Sequence, residues 1–345
     1  MFPLLLRMAA LSFALAASLP AAQDAMAEAA QGTALARDGK YDLAIQHYKT
    51  AIQLNPKLPG IHLNLGLAYF KSQHFAEAAS SFEQALKSDP KSFQARTLLG
   101  MSYYGNAKYA LAAKELKLAA AAQPDNFELR YTLAQSYLWS NQYDEAIAEF
   151  KYLLTRDPNS APVHVLLGQV LDAAGKIDDA TAEFEAAAKV SPERPEVRFG
   201  LGYLYWKRQR FPDAAREFQA ALATQPEHAL ALTYLGDTEI QLASEAAAET
   251  HLRRALKLAP ATRLAHLDLG IVLSRGKTPA DAVSHFQAAI LLDPSKTDAH
   301  YRLGRLLSSL GKDKEAQLEF DAVKKLAAEE SAPPALIHLP GAAAK

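Results

Sequence analysis

An all-α solenoid of antiparallel helix pairs is the fold class this sequence predicts, on three observations. Proline stands at residues 56, 90, 124, 158, 192, 226, 260 and 294, and every gap is 34 residues. With that proline set as position 32 of a unit, position 20 is alanine in nine successive units, from Ala44 through Ala78, Ala112, Ala146, Ala180, Ala214, Ala248 and Ala282 to Ala316. Leucine and glycine occupy positions 7 and 8 in most units, from Leu65-Gly66 to Leu303-Gly304. A fixed period of roughly 20–50 residues marks supersecondary units that bury their apolar faces only by stacking.

The nine units are 25–58, 59–92, 93–126, 127–160, 161–194, 195–228, 229–262, 263–296 and 297–330, the last with Ala328 in place of proline. Apolar residues spaced three and four apart predict two amphipathic helices per unit, helix A over positions 2–14 and helix B over positions 18–31. Position 8 is glycine in every unit except the fourth, which has Ala134. A mid-helix glycine costs about 1 kcal/mol relative to alanine. Its recurrence predicts backbones too close for a side chain. Alanine at positions 20 and 27 lets helix B lie against its neighbours, with Leu153 and Val323 the larger substitutes at 27. Position 24 is aromatic or leucine, from Tyr48 to Phe320, and fills the remaining space. Proline lacks an N–H and ends helix B. In the eighth unit Thr278-Pro279-Ala280-Asp281 predicts a helix start, with Thr278 capping and Pro279 at the first helical position.

Residues 1–24 read as a secretory signal with cleavage near 22–27. Arg7 supplies the charge, 8–22 is an uncharged Ala- and Leu-rich run, and Ala25-Met26-Ala27 fits a cleavage site, with Pro20-Ala21-Ala22 a weaker one. That run has 15 residues; a membrane-spanning helix needs about 20. The expectation is therefore a periplasmic or secreted protein, not integral to the membrane after cleavage. The alternative is an apolar helix capping the first unit. The Pro- and Ala-rich segment 331–345 reads as a flexible tail. Lys plus Arg is 37 against 38 for Asp plus Glu, which excludes phosphate-neutralising nucleic-acid binding and a polybasic membrane surface. The absence of cysteine excludes disulfides, thiolate metal sites and cysteine nucleophiles.

The unit resembles the tetratricopeptide repeat, in which Leu-Gly, Ala, an aromatic, Ala and Pro fall at these offsets. The resemblance covers residues 25–330. It implies a right-handed superhelix whose concave groove is lined by helix A, with positions 2, 5, 9, 12 and 13 pointing inward. The end units depart from the pattern, with Gln31 in the first and a Lys- and Glu-rich end to the ninth. The seventh reads as the weakest internal unit. It has Glu245 where others have Tyr41, Phe75, Tyr109, Tyr143 or Phe211, and Glu239 at the apolar position 11.

Chemistry-bearing motifs are sparse. Gly276-Lys277-Thr278 is out of phase with a phosphate-binding loop and joins two helices. His62, His164, His266 and His300 share position 4 with Arg96, Arg130 and Arg198. One repeat or more apart, they predict a packing role and no metal site. Acidic residues read as solvated outer-face groups. No catalytic residue, cofactor or metal is expected, and the chain reads as a non-enzymatic scaffold.

The inward positions carry the candidate partner-binding residues: Phe70, Lys71, Tyr104, Tyr131, Trp139, Phe199, Tyr203, Trp206, Lys207, Arg275, Tyr301 and Arg305. Exposed aromatics among mixed charges are the composition of a recognition surface. The family's carboxylate-holding Lys/Asn set is matched only by Asn64, and its asparagine ladder at position 6 is absent. The expectation is a protein or peptide segment bound in the groove of a cell-envelope assembly protein, with a polysaccharide or other envelope polymer as the alternative partner.

Overall fold

The computed structural model describes residues 22–276 and 278–331. The signal reading of residues 1–21, the Lys277 position of the glycine-containing turn and the tail from 332 lie outside them. Among the described residues there are eighteen α-helices and no strand, so the all-α solenoid stands.

The chain forms two compact units, 1–176 and 177–345. The first holds α1 (22–37), α2 (Tyr41–Leu54), α3 (Ile61–Lys71), α4 (Phe75–Ser88), α5 (Phe93–Gly105), α6 (Tyr109–Ala122), α7 (Phe127–Trp139), α8 (Tyr143–Arg156) and α9 (Ala161–Ala173). The second holds α10 (Ile177–Val190), α11 (Pro195–Lys207), α12 (Phe211–Thr224), α13 (Ala229–Gln241), α14 (Glu245–Leu258), α15 (Arg263–Arg275), α16 (Ala282–Leu292), α17 (Thr297–Ser309) and α18 (Asp313–Ser331). Odd-numbered helices are helix A of a repeat and even-numbered ones helix B. Typical bounds are positions 1–13 and 17–30, about one residue earlier than the apolar spacing predicts. In the ninth repeat, where proline is missing, α18 runs on through Ala328 to Ser331.

The core lies between the two helices of each repeat and the next helix A. Position 20 is buried in all nine repeats. The rings or leucines at position 24 are among the most buried side chains of the protein, except the partly buried Phe320 of the ninth repeat. These explain the glycine column, and differently from the expectation. A Cβ on Gly66 would stand 2.7 Å from the Phe82 ring, one on Gly202 2.8 Å from Phe218, and one on Gly270 2.7 Å from Phe286. The glycine at position 8 therefore first seats the position-24 ring or leucine of its own repeat, and at Gly32 and Gly100 a Cβ would also come within 3.2 and 3.3 Å of helix-B backbone. On α11 this happens twice, because Gly200 is pressed by Phe184 of the preceding repeat.

Short turns join the helices. Helix A ends through a left-handed residue at position 15, which is Gly39, Gly175 and Gly311 but also Gln73, Ala107, Asn141, Gln209 and Ala243. At the start of helix A, Ser92 accepts from the Ala95 N–H at 3.3 Å and Asn126 from the Leu129 N–H at 3.1 Å, each satisfying a donor the helix leaves free.

The eighth repeat departs from expectation. Pro279–Asp281 is a 3-10 turn, α16 begins only at Ala282, and Thr278 makes no side-chain cap. Two local features account for this. Gly276 leaves α15 in extended conformation. The Asp281 N–H then bonds the Thr278 carbonyl at 3.0 Å, closing the tighter three-residue ring.

Candidate partner-binding face

Within each unit, successive A helices touch: α3 with α5 and α5 with α7, then α11 with α13, α13 with α15 and α15 with α17. No successive B helices pack as extensively among the described residues. The A helices therefore stand on the tighter side of each stack, and their free faces form its inner surface.

In the first unit the inner surface carries a broken row of rings. Phe70 meets Phe75 edge-on at 5.6 Å, with Lys71 exposed beside it at the end of α3. Tyr104 meets Tyr109 edge-on at 5.6 Å, and Tyr109 lies 6.4 Å from Trp139. Trp139 is 52% exposed. Tyr131 stacks on Phe127 at 6.1 Å and meets the buried Phe150 ring edge-on. Burial raises the Tyr104 phenol, opposed by a hydrogen bond from Trp139.

In the second unit the rings converge. Tyr203 stacks on Trp206 at 5.9 Å, and Tyr234 meets both edge-on at 5.3 and 5.1 Å. Phe199 stacks on His228 at 4.8 Å and lies 6.1 Å from Tyr234. All four of Phe199, Tyr203, Trp206 and Tyr234 are half-buried. The Lys207 ammonium stands 5.6 Å over the Tyr203 ring, within cation–π range. The Trp206 indole N–H donates to Asp237 Oδ2. Further along this surface Tyr301 is exposed, with the Arg305 guanidinium 6.0 Å from its ring. The exposed Arg275 lies on the adjacent helix, 3.4 Å from Glu245.

The structure thus joins Phe199, Tyr203, Trp206 and Lys207 into one cluster and Arg275, Tyr301 and Arg305 into another. It links Tyr104 to Trp139 through Tyr109. Phe70 and Lys71 stand with Phe75 in the first unit. The sequence reading missed Tyr234, the hub of the aromatic cluster, and Arg302 beside Arg305. Both occupy position 6, which also faces inward. Tyr234 itself, an aromatic where most units have a smaller or aliphatic residue, is the signal that could have found it.

Asp268 breaks the expectation of solvated outer carboxylates, and Asp237, at an inward position, is half-buried. Asp237 is pushed above the ordinary carboxylate range, chiefly by burial, against hydrogen bonds from Trp206 and Gln241. Asp268, on α15, is buried and raised well above that range, first by burial and then by Asp237, with Arg302 opposing. Glu217 and Glu239 are buried as well. Glu239 makes a 2.8 Å contact with His251, so the seventh repeat answers its polar position 11 with a partner.

Of the position-4 histidines, His164, His266 and His300 do pack. Position 4 reaches position 23 of the same repeat: Glu28 to His47 at 2.7 Å, Arg96 to Glu115 at 2.8 Å, Arg198 to Glu217 at 2.7 Å and His300 to Glu319 at 2.6 Å. Arg96, His164 and His266 also bond the carbonyl of the preceding repeat's proline, at 2.9, 3.0 and 2.9 Å. Among the described residues no group of three or more His, Asp and Glu could hold a metal ion, and no helix is long and apolar enough to cross a membrane.

Comparison with known proteins agrees with this architecture. Models described as TPR repeat or tetratricopeptide repeat match residues 32–73, 63–127, 103–170, 140–198, 199–262, 246–290 and 267–331. The chain belongs to the tetratricopeptide repeat family. Among solved structures it is similar to the C-terminal part of a TPR repeat-containing protein from Cytophaga hutchinsonii, at 17% identity and TM-score 0.55, over 69% of this chain and 98% of that one. It is also similar to the APC/C hetero-tetramer Cut9-Hcn1, at 16% identity and TM-score 0.54, over 80% and 55% of the two chains. YrrB, described as a TPR protein with an unusual peptide-binding site, aligns at 20% identity and TM-score 0.45, over 52% and 93%. No curated protein matches the sequence.

Proposed function

We propose that the protein is a non-enzymatic scaffold that holds a segment of another protein against its A-helix faces. The observation that carries this is the aromatic surface left open there: Trp139 half exposed, and the half-buried cluster of Phe199, Tyr203, Trp206 and Tyr234. Large rings held rigid by their neighbours and still open to solvent are the anchors that dominate protein interfaces. The Ala/Leu-rich N-terminal sequence supports export, and with it a periplasmic or secreted setting for the partner.

Affinity capture from the cell envelope tests the reading, with the wild-type chain and the double variant Trp139→Ala, Trp206→Ala compared by quantitative mass spectrometry. Truncating an anchor costs about 2 kcal/mol or more, so the partner should be lost from the variant while circular dichroism shows the helices intact. A partner retained undiminished refutes the assignment. Quenching of tryptophan fluorescence by soluble polysaccharide would instead favour a glycan partner.

A further inference from the structure

A cavity of about 290 Å³ opens on the inner surface between α15 and α17. Three of its nine lining residues are arginines, Arg275, Arg302 and Arg305, and none is acidic. In a chain of net charge −1 this is a concentrated positive site. Ser274 and Ser309 add hydroxyls at its wall, and the floor is apolar, formed by Phe286 and Leu306.

The charges are poorly neutralised. Arg302 and Arg305 make no hydrogen bond or ion pair among the described residues. Arg275 has only the 3.4 Å contact to Glu245, in which both side chains are about half exposed. Asp268, on which Arg302 acts, is buried and lies outside the cavity wall. Several guanidinium forks over an apolar floor suit a carboxylate on a methylene stem: the forks bind its two oxygens in parallel, and the floor covers the stem.

We propose that this cavity binds acidic side chains of a partner peptide, taking a glutamate or aspartate carboxylate between Arg275, Arg302 and Arg305. The proposal rests on the scaffold reading and adds the chemistry of one subsite. It makes the partner segment acidic where it passes α15 and α17.

The test is fluorescence anisotropy of the full chain with a fluorescein-labelled glutamate-rich peptide, its glutamine counterpart and a phosphoserine counterpart. The glutamate peptide should bind, more weakly as salt rises, and the glutamine peptide should not. Charge-assisted hydrogen bonds are worth about 1.5–3 kcal/mol, so the exposed double variant Arg302→Gln, Arg305→Gln should weaken binding by roughly tenfold or more. Glu245→Gln frees Arg275 and should tighten binding by roughly two- to fivefold, the range of a surface ion pair. Equal binding of glutamate and glutamine peptides, or an undiminished double variant, overturns the proposal. Binding confined to the phosphoserine peptide overturns it in favour of a phosphate site. The aromatic double variant Trp139→Ala, Trp206→Ala separates the two readings. A partner that depends on those tryptophans but not on the arginines leaves the scaffold standing and removes the acidic subsite.

Discussion

Asp268 sits on the inner side of α15 with its Oδ2 atom buried and lacking a hydrogen-bond partner, and an unsatisfied buried polar group costs about 1–3 kcal/mol. Burial raises its carboxyl well above the ordinary range, so the folded protein keeps this proton to higher pH than the unfolded chain. Stability from this group is therefore full below the unfolded carboxylate value, near about 4. It falls as pH rises from there through the raised folded value. Replacing Asp268 by asparagine removes the ionisation and keeps the shape. The Asp268→Asn variant should melt higher than wild type at neutral pH, with the difference shrinking toward pH 4 in thermal scans followed by circular dichroism. A variant less stable at pH 7 would mean that Asp268 answers to Arg302 or Arg263 as a needed counter-charge. Nothing in the one-dimensional pattern separates this aspartate from a solvated one. Position 6 varies from unit to unit, and burial there depends on how closely α13, α15 and α17 approach.

At the scale of the helix pair, the sequence was legible wherever a residue type is forced in every copy. The alanines at position 20 and the glycines at position 8 are such cases. The first leaves no room between helices; the second was legible as a place without room for a side chain, but that the position-24 side chain fills that place came only from the structure. The turn between the helices was not legible, because its geometry is shared while its residues are not. Position 15 is left-handed in eight repeats but glycine in only three. For a residue with a Cβ that conformation costs roughly 1–2 kcal/mol, which glycine avoids. Gln73→Gly, Ala107→Gly, Gln209→Gly and Ala243→Gly should each stabilise the protein, by about 0.5–1 kcal/mol after the added entropy of the unfolded glycine. Urea denaturation checks it: the midpoint should rise for each variant and rise further when they are combined. The eighth repeat shows the converse limit. Thr278-Pro279 has the composition of a helix start, and yet Pro279 enters a 3-10 turn, with the Asp281 N–H bonded to the Thr278 carbonyl.

Across the whole molecule, a helix contacts mainly its immediate neighbours along the chain, and stability in such stacks is a sum of local and nearest-neighbour contributions. Damage to the core should then stay local. Phe286 is 1% exposed and lies over Gly270, so Phe286→Ala should cost about 3–5 kcal/mol. Hydrogen exchange read by mass spectrometry should show lost protection in α15, α16 and α17 and little change in α3 to α8. A uniform loss across both units would mean that the chain unfolds as a single block.

Position 4 of a repeat joins position 23 of that same repeat, and where it reaches outward it takes only a backbone carbonyl, which every residue possesses. A hairpin that has this polar clasp therefore brings both halves with it; the seventh, with Leu232 at position 4, has none. A gene segment encoding one such hairpin could be copied, lost or moved along the array, and its clasp would need no matching side chain in the new neighbour.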